Sequence, residues 1–125
     1  MIGYVTIGAK DVEASLPFFD AVFGAMGRER SFFQGGWAGY GAKGADADCY
    51  ICPPFDGEEA RPGNGIMIAF LAGSKAEVDS AHAAALAAGG ADEGAPGPRP
   101  ADSTSFYGAY FRDPTGNKLC VFAKT

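Results

Sequence analysis

Few residues in this chain can do chemistry. Histidine occurs once, at His82, and cysteine three times, at Cys49, Cys52 and Cys120. Imidazole and thiolate are ordinary metal ligands, and with a base or acid beside them they are ordinary catalytic groups. Cys49-Tyr-Ile-Cys52 has the spacing of a zinc half-site or a dithiol redox centre. A structural zinc site uses two such pairs, and there is one. A redox pair sits at a helix N-terminus, whereas Pro53-Pro54 follows this one. Residues three apart on a strand point to opposite faces, so Cys49 is expected in the core and Cys52 on the other face or at the strand end. His82 falls on a helix expected to cover the outside of a sheet and reads as a structural histidine, with no serine or cysteine nucleophile to pair with it. Arg99, on a Pro/Gly-rich loop, and Lys118, two residues before Cys120, could each meet a carboxylate or phosphate or stand as solvated charges. Asp113 is assigned to a turn, and Asp48 to nothing.

The chain has 125 residues, of which 47% are hydrophobic and 20% charged, and 10 basic against 15 acidic residues give a net charge of -5. That length fits a single domain, 1–125, burying about two-thirds of its unfolded surface. The acidic balance argues against nucleic acid as a partner. No apolar run approaches the roughly 20 residues of a membrane helix, and no signal peptide is read. Three cysteines cannot all pair, so the expected compartment is a reducing cytoplasm.

The elements that must position these residues come in two sets. Ile2-Gly-Tyr-Val-Thr-Ile-Gly-Ala-Lys-Asp-Val-Glu and Gly65-Ile-Met-Ile-Ala-Phe-Leu-Ala-Gly-Ser-Lys-Ala-Glu share one shape, with Tyr4 opposite Met67 and Val5 opposite Ile68. Gly36-Trp-Ala-Gly-Tyr40 matches Phe106-Tyr-Gly-Ala-Tyr110, and Cys49-Tyr-Ile-Cys matches Leu119-Cys-Val-Phe. Three matches in one order imply two copies of a unit, about 1–55 and 63–125, each a strand, a helix and three strands. The first helix is predicted over about 12–25 with Asp11 as N-cap, and Pro17 predicts a tight first turn or a kink. The second starts at a Ser74/Glu77 capping box and stops at Gly89-Gly90. Further strands are predicted near 28–34, 36–42, 47–52, 91–95, 105–112 and 117–124, with 94–104 an irregular loop and Asp113-Pro-Thr-Gly-Asn117 a turn.

Two βαβββ units with Phe111-Arg-Asp-Pro-Thr-Gly-Asn-Lys-Leu in the last hairpin resemble the vicinal oxygen chelate superfamily, which includes glyoxalase I, bleomycin-resistance proteins and extradiol dioxygenases. The resemblance covers essentially the whole chain. It implies an α+β fold in which two βαβββ modules form a curled mixed-sheet cup with the helices outside, and it implies a homodimer. It also implies a divalent metal on inward residues of the first and last strand of each module. Strand alternation puts Tyr4 and Thr6 inward, with Val5 and Ile7 toward the first helix; Ile66, Ile68 and Phe70 face the second helix, leaving Met67 and Ala69 inward. The four implied ligand positions are then Tyr4, Tyr50, Met67 and Cys120. Two phenols, a thioether and one thiol are a poor set for a divalent metal, so no metal and no other cofactor is expected.

A cup with those residues suits a flat or apolar small molecule. Tyr40 and Tyr110, at matching positions, add to the expected binding set if they face inward, which would turn Trp37 and Tyr107 toward the helices. Arg99 borders the mouth. A less favoured possibility is that the aromatics fill the cup and leave an interaction module. The leading expectation is a metal-independent binder in the manner of bleomycin-resistance proteins. The alternative is a lactoylglutathione lyase-like enzyme with an altered or metal-free mechanism, using Tyr4 or Tyr50 as acid and Cys120 as nucleophile.

Overall fold

The computed structural model describes all 125 residues. The order of elements is β1 (Val5–Gly8), α1 (Val12–Gly24), β2 (Arg28–Gln34), β3 (Trp37–Ala42), β4 (Cys49–Cys52), β5 (Ile68–Leu71), α2 (Lys75–Ala87), β6 (Ala91–Pro98), β7 (Phe106–Arg112) and β8 (Lys118–Lys124). They form two βαβββ modules, each with one four-stranded sheet, ordered β1-β4-β3-β2 and β5-β8-β7-β6. In each sheet the first strand pairs in parallel with the last, and the other pairs are antiparallel. No helix is long and apolar enough to cross a membrane.

The helices begin where their caps dictate. Asp11 accepts a hydrogen bond from the Ala14 N–H (3.0 Å), and Ser74 accepts one from the Glu77 N–H (3.1 Å) while Glu77 reaches back to the Gly73 N–H (2.9 Å). α1 runs unbroken through Pro17, which sits on the exposed side of the helix. The predicted loop after residue 94 is instead strand as far as Pro98, interrupted by two register shifts around Gly94. Glycine and proline loosen this edge strand without ending it.

The core lies between the helices and one face of each sheet. Phe18, Phe19, Val22 and Phe23 of α1 and the small-residue face of α2, Val78, Ala81 and Ala85, close on Tyr40, Ile51, Phe111, Leu119 and Val121. Each large apolar side chain buried there contributes about 1.5–3 kcal/mol. His82 belongs to this layer: it is 7% exposed, bonds Asp92 through Nε2 (2.9 Å) and meets the Phe111 ring edge-on.

The last hairpin ties the modules together. One oxygen of Asp113 accepts hydrogen bonds from the N–H groups of Thr115, Gly116 and Asn117 (3.1, 2.9 and 2.9 Å). Asn117 then donates from its amide to Gly8 O at the end of β1 (2.9 Å), and the Lys10 N–H donates to Thr115 Oγ1 (3.0 Å). The Asp113 turn therefore sets the spacing between β1 and β5, the two strand edges that flank the site.

Candidate functional site

The sheet faces turned away from the helices carry the candidate site, and register decides which residues reach them. On β4, Cys49 and Ile51 point into the core, so Tyr50 and Cys52 point away. Tyr50 pairs with Thr6 of β1 and Gly39 of β3, which puts Thr6 and Gly39 on its face. Around the Tyr50 ring stand Tyr4 (centroids 5.3 Å apart), Phe32 (6.0 Å) and Trp37 (6.0 Å). Gly39 makes this arrangement possible: a Cβ there would collide with the Phe32 ring and lie 2.9 Å from Ala47 Cβ. The cluster is open, with Tyr4 62% and Trp37 40% exposed.

Two grooves meet at Thr6. One, of about 730 Å³, runs between the facing edges of β1 and β5 and is lined by Ile2, Tyr4, Thr6, Met67, Ala69 and Leu71 among others. The other, of about 650 Å³, lies between Thr6, Trp37 and Cys52 and the segment after β4, including Phe55 and Glu59. A smaller cavity of about 90 Å³ touches Thr6, Met67 and Lys118 and links the first sheet to the second.

On the second sheet Tyr110 pairs with Cys120 and shares its face. The Arg99 guanidinium lies 5.6 Å and the Lys118 ammonium 5.8 Å from the centre of the Tyr110 ring. Cys120 is 1% exposed; burial pushes its thiol up to about 11, against the opposing pull of the Tyr110 hydroxyl, Arg99 and Lys118. Burial likewise raises Cys52, and it pushes Cys49 up to about 12.

The expected site residues thus fall into two groups. Tyr4 and Tyr50 are in contact, with Met67 across the groove; Cys120, Tyr110 and Arg99 cluster on the second sheet. Tyr40 belongs to neither. It is 0% exposed, pairs with core-facing Cys49, packs on Phe23 (4.9 Å) and donates its hydroxyl to Asp20 of α1 (2.7 Å). Trp37 takes the open face instead of the helix side, and the match of Tyr40 to Tyr110 is out by one residue: the residue equivalent to Tyr40 is Phe111, which pairs with core-facing Leu119. Tyr107 does face α2, with its hydroxyl on Asp79 (2.6 Å). Ile66 precedes β5 and is 64% exposed, so the alternation that assigned it to the helix side does not reach it. Phe32, not anticipated as a site residue, was marked by the glycine at position 39 that accommodates its ring.

The sequence matches the family model for the Glyoxalase/Bleomycin resistance protein/Dioxygenase superfamily over residues 1–121. The chain belongs to this superfamily. Among solved structures it is similar to a glyoxalase/bleomycin resistance protein from Albidiferax ferrireducens T118, at 35% identity over 96% of both chains with a TM-score of 0.87. A lactoylglutathione lyase from Agrobacterium tumefaciens, at 24% identity over 98% of this chain and 92% of that one, shares the fold with a TM-score of 0.65. No curated protein sequence matches the chain at a significant level.

The superfamily implies a divalent metal, and the donors at the implied positions do not fit one. Tyr4 and Tyr50 offer phenols, Met67 a thioether, and Cys120 a thiol held protonated by burial. No three histidine, cysteine, aspartate or glutamate side chains converge anywhere in the chain. Cys49 and Cys52 point to opposite faces of β4, and His82 is spoken for by Asp92 behind the second sheet.

Proposed function

We propose that this chain is a small-molecule binding member of the superfamily that works without the divalent metal, taking a flat, largely apolar ligand on the open aromatic face around Tyr50. The observation that carries the reading is the cluster of Tyr4, Phe32, Trp37 and Tyr50 beside a groove of about 730 Å³, a volume in the range of small-molecule sites. Aromatic rings that stand this exposed bind planar molecules by stacking, and the Tyr4 hydroxyl and Thr6 add polar handles. The chemistry of the four implied ligand positions supports a site that does not depend on a metal.

A homodimer in the cytoplasm is part of the same proposal. Phe32 and Phe33 on the edge strand β2, with Ile2, Ile66 and Leu71 along the groove, leave apolar surface that a second copy could cover. Glyoxalase-type catalysis is the competing reading; the protonated, buried Cys120 does not favour it as a nucleophile.

Native mass spectrometry of freshly purified protein, paired with a methylglyoxal–glutathione turnover assay with and without nickel or zinc, separates the two. A metal-free protein inactive under both conditions is the expected result. A stoichiometric divalent metal, or turnover restored by added metal, would overturn the proposal.

A further inference from the structure

Six of the ten lysine and arginine side chains make no salt bridge, so a missing acidic partner does not by itself mark a site; the placement of two of these cations does. The five salt bridges engage Lys10, Arg28, Arg30, His82 and Arg112, and none includes Arg99 or Lys118. These two nevertheless share one aromatic ring, that of Tyr110, and both are half-buried. Arg99 is held in place by carbonyls: Nη1 donates to Pro98 O (3.1 Å) and Nη2 to Ala95 O (2.7 Å). Such bonds orient a guanidinium without neutralising it, and an arginine has five N–H donors to distribute. Glu93 feels the charge of Lys118, but its carboxylate is bonded by Arg112 (2.6 Å). The protonated Cys120 supplies no counter-charge.

The strand beneath is shaped around this pair. A Cβ on Gly97 would lie 3.0 Å from Arg99 Nη1, and one on Gly94 would lie 3.0 Å from Tyr110 Cδ2 and 3.4 Å from Arg99 Nη2. Glycine at both positions lets the guanidinium and the phenol ring lie against the backbone. Lys118 itself lines the small cavity that also touches Thr6 and Met67, which places one of the two cations at the edge of the groove beside Tyr4.

We propose that Arg99, Lys118 and Tyr110 form an anion subsite that takes a carboxylate or phosphate head group on the ligand whose apolar body lies against Tyr4, Tyr50 and Met67. This rests on the binding function proposed above and narrows it: the ligand is an amphipathic organic anion. A pinned guanidinium, an ammonium and a phenolic hydroxyl suit an oxyanion.

The test is calorimetric titration of the full chain, at low ionic strength, with naphthoate, naphthyl phosphate and the neutral naphthalenemethanol. These probes share an apolar body and differ in the head group. The expected result is that at least one anionic probe binds about tenfold more tightly than the neutral one, the equivalent of one charge-assisted contact. The stronger anionic probe tells carboxylate from phosphate. In an Arg99→Gln/Lys118→Gln double variant the anionic advantage disappears while the neutral probe binds as before; Lys118→Gln alone loses about half of it on a logarithmic scale. Equal affinities for charged and neutral probes in the wild type, or an anionic advantage that survives in the double variant, would overturn the subsite and leave the binding function standing. Failure of all three probes to bind would overturn both.

Discussion

Tyr40 and Tyr50 are ten residues apart on neighbouring strands, and replacing each should have opposite consequences. Tyr40 is fully buried and donates to Asp20 (2.7 Å), while that carboxylate also pairs with Arg30 Nε (3.1 Å). A hydrogen bond to a charged group is worth about 1.5–3 kcal/mol, but Arg30 continues to satisfy Asp20 when the phenol is removed. Tyr40→Phe is therefore expected to cost about 1 kcal/mol, a fall in Tm of roughly 3–5 °C for a chain of this size. Burial raises the Tyr40 pKa, so the folded state keeps a proton that the unfolded state gives up above about pH 10. Stability carried by the phenol is then present below that pH and drains away as the pH climbs past it. The deficit of Tyr40→Phe against wild type should shrink in alkali. Urea unfolding at neutral and alkaline pH measures both values, and a naphthalene probe titrated into the same samples measures binding. Tyr40→Phe should bind the probe like wild type, whereas Tyr50→Ala should lose binding at least several-fold while changing stability by less than about 1 kcal/mol. A neutral Tyr40→Phe, or one that weakens the probe, would refute the placement of this tyrosine in the core.

Three other outcomes follow from the same structure. Native protein should react slowly with a thiol reagent at mildly alkaline pH, because all three cysteines are buried with raised pKa values, and should release three thiols on denaturation; one fast thiol would contradict this. Asp92 and Glu93 are held below the usual carboxylate range by hydrogen bonds from His82 and Arg112, so they support the fold above about pH 4–5 and lose that support as acid protonates them. In thermal melts across that range, Asp92→Asn/Glu93→Gln should show a shallower acid dependence than wild type. Asp113→Ala orphans the backbone N–H groups of Thr115 and Asn117, while that of Gly116 keeps its bond to the residue-113 carbonyl, and should cost about 2–4 kcal/mol by urea unfolding, whereas a cost below about 1 kcal/mol would mean the turn does not tie the modules.

The sequence disclosed the modules, the caps and the Asp113 turn because each is written in local chemistry: alternating strands, Ser-x-x-Glu, Asp-Pro-x-Gly. The inward positions Tyr50, Cys52 and Cys120 followed from alternation along single strands. What it did not disclose is register between strands. Whether Tyr40 sits across from Cys49 or from Tyr50 depends on how the Lys43–Asp48 connection closes, and a shift of one residue exchanges the core for the open face. The same shift turned Trp37 outward. Tyr110 needed no such correction, since the tight Asp113–Asn117 turn sets its partner as Cys120. Arg99 as one of a pair with Lys118 was hidden for a different reason: the irregular β6 that ends just before it reads as a loop.

The central claim is that the open face around Tyr50 holds a small organic molecule without a metal. Amide and aromatic chemical-shift mapping of naphthyl phosphate binding, in buffer containing a strong chelator, tests it most directly. The account predicts saturable shifts confined to Tyr4, Thr6, Trp37, Tyr50, Met67 and the Tyr110–Lys118 side of the second sheet, with the Tyr40 and His82 signals unmoved. Binding that vanishes with the chelator and returns with a divalent metal, or shifts centred on the helices, would contradict it.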